Sequence, residues 1–351
     1  MPMTTDHKIL RNSIIRRSFL SVILIAGVIL TLMTFLGRVW WGFELATHFR
    51  VQYVIVFSFL TLTMLAKRQW VLFGVATTCT LIHLLAILPV YLGPLETPVS
   101  QPPEPIKILS SNVHGKNNHH GQILNLASRE SPDVVVLQEV DGTWLQSLES
   151  LNKTHPHRLV AKSRSYERLA LYSRYPIVTS QERHYGRYRV PILIATLNIK
   201  NHPLTIYAAH LTSPTSPQDA QARNQELNLI ANEINSAKEP AILVGDLNIT
   251  PWSPYFKDLI RTTGLKDSRN GFGIQASWPS YLLPLLIPLD HCLVHPSIQV
   301  LDRRLGPNIG SDHYPILLEL ALSGKSQTGA TASIANVSSA VTLSLRGLRL
   351  L

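Results

Sequence analysis

Between Ser18 and Leu92 polar positions become so sparse that the chain reads as three apolar runs, 18–37, 51–66 and 70–92. A bilayer-crossing helix needs about 20 predominantly apolar residues. The first run, SFLSVILIAGVILTLMTFLG, and the third, WVLFGVATTCTLIHLLAILPVYL, meet that length. The second, VQYVIVFSFLTLTMLA, is shorter, although Phe49 ahead of it extends its apolar character. The first run taken alone also fits a signal peptide, and the other two a buried helical hairpin. Three runs in succession without polar faces predict three transmembrane helices over residues 1–92.

Lysine and arginine set the orientation. Lys8, Arg11, Arg16 and Arg17 precede the first run, and Lys67 and Arg68 join the second to the third. The link between the first two runs sets Arg38 and Arg50 against Glu44, and after the third run no basic residue occurs before Lys107. The tail and second link are expected inside and everything beyond the third run outside. This describes a multi-pass membrane protein (of the inner membrane, in a bacterium) with its soluble part on the periplasmic or extracytoplasmic face. His83 and Pro89 in the third run are read as packing and a kink.

The pattern then changes. Residues 93–105, GPLETPVSQPPEP, form a proline-rich linker expected to be extended. Over 106–321, β-rich runs alternate with helical spacing: IKILSSN, DVVVLQE, AILVGDLN, PLDHCLV and YPILLEL read as strands. RLALYSR and PIVTS read as a pair across a turn, and ILIATLNIK and LTIYAAH as a hairpin around NHP. Helices are expected at 121–130, 143–151, 217–237 and 253–261. The expected fold is α/β, two packed, mainly antiparallel sheets flanked by helices, a four-layer αββα sandwich behind a three-span anchor. Residues 322–351 are small and polar and are expected to be disordered.

What the strands lead into carries the chemistry. ILSSN ends on Asn112, VVVLQE on Gln138 and Glu139, IYAAH on His210, and ILVGD on Asp246 with Asn248 beyond. IPLD ends on Asp290, and Asp312 and His313 precede the last strand. Each alone fits a helix cap or a packed side chain. Together, six strand ends bring acids, amides and imidazoles toward one rim if two sheets pack face to face. Such a rim is a donor set for a hard cation, Mg²⁺ or Mn²⁺. The net charge of +10 adds little, because several basic residues flank the apolar runs. Cys79 and Cys292 are too differently placed to suggest a disulfide. His119, His120 and the HPH of 155–157 read as solvated loop or surface turn.

These motifs, in order, resemble the endonuclease/exonuclease/phosphatase superfamily, whose members include DNase I-like nucleases, bacterial sphingomyelinases and inositol-polyphosphate 5-phosphatases. Asn112, LQE, LALYSRYPI, AAHL, GDLNITPWSPYF, LDH and SDHYPI carry the resemblance across the soluble domain. The spans ahead of it resemble a membrane-anchored bacterial subgroup. The resemblance implies metal binding by Glu139, with Asn112 beside it and Asp312 as a further metal or water contact. It implies that Asp246 orients or deprotonates the attacking water and that Asn248 holds a phosphoryl oxygen. His210 would contact the phosphate and assist the leaving group, and Asp290 would orient His313. His114 departs from the pattern, standing where some nucleases of the superfamily carry an acid.

The expected function is therefore a membrane-anchored, divalent-metal-dependent, nuclease-like phosphoesterase that hydrolyses a phosphodiester or phosphomonoester bond in a nucleic acid or a lipid head group. The alternative is a lipid phosphodiesterase or phosphatase, and a third reading is a catalytically silent binding module. RSYERL (164–169) and RHYGRYRV (183–190) offer Arg and Tyr to a nucleic acid. SYLLPLLIPL (280–289) offers either an apolar lip toward the bilayer or the approach to a core strand.

Overall fold

The computed structural model describes residues 5–93, 105–162 and 168–322. The proline-rich linker beyond Gly93, most of RSYERL and the C-terminal tail lie outside the described residues.

Helices α1 (Thr5–Met33), α3 (Arg50–Ala66) and α4 (Trp70–Ile87) build the apolar N-terminal unit, the expected anchor. Its three stretches long and apolar enough to cross a membrane are Phe19–Leu36, Trp41–Ala66 and Trp70–Val90. The second is longer than its apolar run suggests. Short helix α2 (Trp41–Ala46) and a 3-10 turn over Thr47–Phe49 lead straight into α3. Leu24, Phe57, Leu60, Met64 and Ala76 pack as the anchor's own core. His83 is buried and bonds on both ring nitrogens, at 3.0 Å to Thr31 Oγ1 and 3.0 Å to Arg50 Nη1, joining all three helices. Pro89 lies in the 3-10 turn Leu88–Val90 that follows α4, so it closes the span where a kink was expected.

Beyond the anchor, twelve strands form two six-stranded sheets. The first runs β11 (Ile298–Leu305), β12 (Ile316–Leu322), β1 (Ile106–Asn112), β2 (Val134–Val140), β4 (Arg168–Ser173), β3 (His157–Val160). The second runs β5 (Ile177–Tyr185), β6 (Val190–Ile199), β7 (His202–His210), β8 (Ala241–Asp246), β10 (Asp290–Val294), β9 (Lys266–Asp267). Each sheet holds one parallel pair, β1 with β2 and β7 with β8, and is otherwise antiparallel.

Side chains alternate across the central strands, so both faces are buried and the runs look continuously apolar. Val134 and Val136 face the second sheet, in a core with Ile206, Val244 and Cys292. Val135 and Leu137 face α5 (His120–Glu130) and α6 (Gly142–Ser147) through Ile123, Leu126 and Trp144. On the far side, Leu227 and Ile230 of α7 (Pro217–Asn235) and Phe256 and Leu259 of α8 (Pro254–Thr263) cover Leu243 and Leu293. These are the four expected layers.

Three local readings change. RLALYSR and PIVTS do not pair: β4 belongs to the first sheet and β5 to the second, and the chain crosses between them at Arg174–Pro176. The β6–β7 turn is Lys200–Asn201, both at positive φ (51° and 70°) as a tight hairpin requires, and HP belongs to β7. His155 is 1% exposed and bonds the Pro132 carbonyl at 2.9 Å, so it is a core residue and not a surface turn.

Anchor and domain share interior. Val51, Val54, Ala86, Ile87 and Val90 pack with Trp252 and Ile274 of the domain. Glu44 of α2 is fully buried against Arg223 of α7, Oε2 to Nη2 2.6 Å, and also accepts from Ser253 Oγ at 2.7 Å. A buried charge left without its partner typically costs about 3–5 kcal/mol, whereas replacing both partners by apolar groups is far milder. Arg223→Met should therefore lower the thermal unfolding midpoint of the detergent-solubilised full chain. Adding Glu44→Leu should recover most of the loss. Equal loss in the single and double variants would show that the pair is not what joins anchor to domain.

Candidate active site

Topology gathers the strand ends. β1 and β2 run parallel, with Asn112 level with Gln138, and β7 and β8 run parallel, with His210 level with Asp246. β10 runs opposite to β8, and its first residue, Asp290, is level with Asp246. β12 runs opposite to β1, so Asp312 and His313, which precede it, arrive at the same rim. Asn112 bridges the sheets there: its Nδ2 donates to Glu139 Oε1 at 2.7 Å and to Asp246 Oδ2 at 3.2 Å.

Local backbone geometry aims the acids. Glu139 sits at φ 60° where the β2–β4 register slips between Leu137 and Val140, a bulge that turns a side chain out of the ladder. Its Oε2 accepts from the Gly115 amide at 3.3 Å. Gln138 turns inward instead and donates to Ser110 Oγ at 3.2 Å. Gly245 has φ 136°, and a Cβ there would meet the Ala209 carbonyl oxygen at 2.0 Å, so only glycine lets β8 lie this close to β7 before Asp246. Asn248 adopts φ 49°, which asparagine tolerates better than most residues. Its amide N–H donates to Asp246 Oδ1 at 2.9 Å, and its Nδ2 to the Leu211 carbonyl at 2.8 Å.

His313 and Asp290 form the tightest charged contact of the rim, Nδ1 to Oδ2 2.8 Å, with His313 Nε2 3.6 Å from Asp246 Oδ2. Burial alone opposes charge on this ring. The Asp290 and Asp246 carboxylates outweigh it and push the His313 pKa up to about 10. Asp290 moves the other way: burial works against its charge, but His313 holds it below its ordinary value. Burial raises Asp246. For Glu139 burial is again the largest opposing influence, and His210, Asn112 and the Gly115 amide overcome it to bring the carboxyl down. His210 Nε2 lies 3.8 Å from Glu139 Oε1 and 3.7 Å from Asp246 Oδ2.

Asp312 faces the same space. Its Oδ2 accepts from Trp278 Nε1 at 3.2 Å, and its Oδ1 lies 3.4 Å from His114 Nδ1, which is also 3.7 Å from Glu139 Oε2. All eight sequence candidates, Asn112, Glu139, His210, Asp246, Asn248, Asp290, Asp312 and His313, are thus at one rim. His114 joins them, standing between two acids. Asp246, Asp290 and His313 offer ligand atoms within 4.8 Å of one another, a set able to hold a metal ion. His313 Nδ1 and Asp290 are already committed to each other, however. Glu139 Oε2 and Asp312 Oδ1 approach each other only through His114 Nδ1, which stands between them.

Several supports leave no pattern along the chain. Ser311 Oγ donates to the Asn112 carbonyl at 2.8 Å and accepts from the His313 amide at 3.0 Å, locking the last loop onto β1. Arg269 and Arg303, both buried, donate to the Asp290 carbonyl at 3.0 and 3.3 Å, behind a rim that reads as nearly free of basic residues. His291 is turned away from the rim, its Nε2 2.7 Å from the Ile249 carbonyl. Leu45, His48 and Phe49 of the anchor line the site's cavity of about 430 Å³. Nothing in their pattern distinguishes them from span residues.

Among curated proteins compared by sequence, none matches the chain. Solved structures share its fold. D. rerio TDP2 complexed with single strand DNA product is 18% identical, covers 62% of this chain and 99% of its own, and has a TM-score of 0.53. An endonuclease/exonuclease/phosphatase from Bacteroides vulgatus is 17% identical over 63% of this chain and 100% of its own, TM-score 0.53. One from Beutenbergia cavernae DSM 12333 is 19% identical over 63% and 72%, TM-score 0.52. The model of the Endonuclease/Exonuclease/phosphatase family matches residues 109–313, from β1 through His313. The chain belongs to that family.

Proposed function

We propose that this chain is a membrane-anchored, divalent-metal-dependent phosphoesterase that hydrolyses a phosphodiester or phosphomonoester bond. The observation that carries the reading is the buried His313–Asp290 pair facing Asp246 across a rim that also holds Glu139, His210 and Asp312. Family membership supports it. A silent binding module has no use for this cluster, because isolated buried acids cost free energy that only pairing or ligand binding offsets.

Glu139 and Asp312 would hold the cation, Mg²⁺ or Mn²⁺, with Asn112 fixing Glu139 in place. Bound there, the cation supplies positive charge to phosphoryl oxygens as charge develops on them. Asp246 accepts a proton from the attacking water as its oxygen joins phosphorus. His313 donates from Nε2 toward the phosphoryl group, and Asp290, accepting from Nδ1, keeps its ring charged and oriented for that. His210 contacts the phosphate and delivers a proton to the leaving oxygen as the P–O ester bond breaks. Asn248 has one Nδ2 hydrogen committed to Leu211 and the other free for a phosphoryl oxygen.

We also place the domain on the outer face. The 38–50 link and the end of α4 both contact the domain, through Arg38–Asp258 at 2.6 Å and through Val90, whose carbonyl accepts from Gly271 and Gly273. The Lys67–Arg68 turn lies at the opposite end of the α3–α4 hairpin, and Lys8, Arg11, Arg16 and Arg17 come ahead of the apolar stretch Phe19–Leu36, both on the side that positive residues favour as internal. Protease added to cells with a permeabilised outer layer should digest the domain and spare the N-terminal tail. Protection of the domain would reverse the orientation.

Rate against Mg²⁺ concentration tests the roles in the site. Glu139→Gln keeps the shape and removes a charge, so excess Mg²⁺ should partly restore its rate. His313→Ala should lose roughly 10²-fold or more with no metal rescue. Asp290→Asn should resemble it, and the double variant should be little worse than either single, because the two act as a unit. Metal rescue of His313→Ala, or additive losses at 290 and 313, would contradict the assignment.

A further inference from the structure

The cavity at the rim has two unlike sides. One is the catalytic row. The other is apolar and is built partly by the anchor: Leu45 of α2 and Phe49 of the turn that leads into α3, with Trp278, Ile287 and Leu289 from the domain. His48 belongs to the same wall. It is 4% exposed, its Nδ1 lies 2.9 Å from Thr250 Oγ1, and its Nε2 is buried with no hydrogen-bond partner.

The wall is held fast and close to the spans. Phe49 immediately precedes α3, and Glu44, one helical turn before His48, is clamped by Arg223, whose Nη1 also donates to the Asn248 carbonyl at 2.9 Å. Beside the cavity mouth, SYLLPLLIPL proves to be a lip. Tyr281, Leu282, Leu283 and Leu285 are 74%, 41%, 65% and 44% exposed, while Ile287 and Leu289 turn inward. The lip is tied to the start of α3, since Gln52 Nε2 donates to the carbonyls of Pro284 at 3.2 Å and Leu286 at 3.0 Å. Four exposed apolar side chains are thereby joined to the first turn of α3, an apolar helix long enough, with α2, to cross a membrane.

The Arg/Tyr residues that would suit a nucleic acid are partly engaged elsewhere. Arg183 lies 3.9 Å from Glu233, and Tyr188 donates to Asp219 at 2.7 Å. Arg168, Tyr188 and Arg189 do line a second cleft of about 410 Å³, which shares Glu139 and His210 with the first.

We propose that the substrate is a phosphoester lipid of the leaflet on the domain's side, entering between the α2 link and the lip. Its phosphate meets the catalytic row, and its apolar part lies along Leu45, Phe49 and the lip, with the His48 ring shaping the wall behind it. This rests on the phosphoesterase reading above and names the substrate class for the same site.

The test uses the full chain with Mg²⁺ in vesicles of phosphatidylethanolamine, phosphatidylglycerol and phosphatidic acid. Loss of intact phospholipid, by mass spectrometry, is read beside hydrolysis of soluble bis(p-nitrophenyl) phosphate, p-nitrophenyl phosphate and single-stranded DNA. Lipid loss is expected. In the paired lip variant Leu283→Asp, Leu285→Asp, the ratio of lipid to soluble-ester turnover should fall about tenfold or more, the scale of one lost apolar contact. His48→Ala should lower the same ratio independently of the lip. Soluble-ester turnover without lipid loss, or an unchanged ratio in both variants, would overturn the lipid assignment. DNA cleavage without lipid loss would assign the site to nucleic acid. No turnover of any probe would overturn the phosphoesterase reading itself.

Discussion

Four carboxylates, Glu139, Asp246, Asp290 and Asp312, meet on one rim, and Asp246 and Asp290 are each 1% exposed there. Like charges gathered in a low-dielectric space cannot all remain ionised without positive compensation. Much of the surrounding structure answers that constraint. His313 is charged because Asp290 and Asp246 make it so. Asn112 turns its Nδ2 toward both Glu139 and Asp246, Gly115 offers an amide, and Arg269 and Arg303 stand behind Asp290. His114 occupies the space between Glu139 and Asp312. A divalent cation bound among these carboxylates would add positive charge of the same kind.

The same principle joins the anchor to the domain. Glu44 and Arg223 are each fully buried, and the Arg223 guanidinium also reaches the Asn248 carbonyl. One charge of the pair belongs to the link between spans and the other to the helix that covers the second sheet. The catalytic loop after Asp246 is therefore braced by the anchor, and the anchor contributes part of the cavity wall. These contacts set the rim beside the first turn of α3, and that juxtaposition is what the proposed lipid substrate rests on.

The strand ends were legible because central strands read as apolar runs and stop abruptly at polar residues. Asn112, Glu139, His210, Asp246, Asp290 and His313 all stand where that transition falls. Residues that depend on backbone conformation were harder to place. Glu139 reaches the rim through a bulge at φ 60°, and His114 through φ 56°, neither of which leaves a pattern in the chain. The split of LALYSR from PIVTS between two sheets is a tertiary event, since adjacent strands with a short connection usually pair. The roles of Glu44, His48 and Phe49 were hidden for another reason: hydropathy marks them as the margin of a span and is silent on what that margin packs against.

The measurement that bears most directly on the rim is thermal unfolding of the full chain in detergent across a Mg²⁺ titration, without substrate. A cation held by Glu139 and Asp312 stabilises the folded state by mass action, about 2.7 kcal/mol at a hundredfold excess over its dissociation constant. The unfolding midpoint should climb with Mg²⁺ concentration in the parent chain. It should stay nearly flat when Glu139→Gln and Asp312→Asn are combined. A midpoint indifferent to Mg²⁺ and Mn²⁺ in the parent, or the same climb in the double variant, would contradict the account.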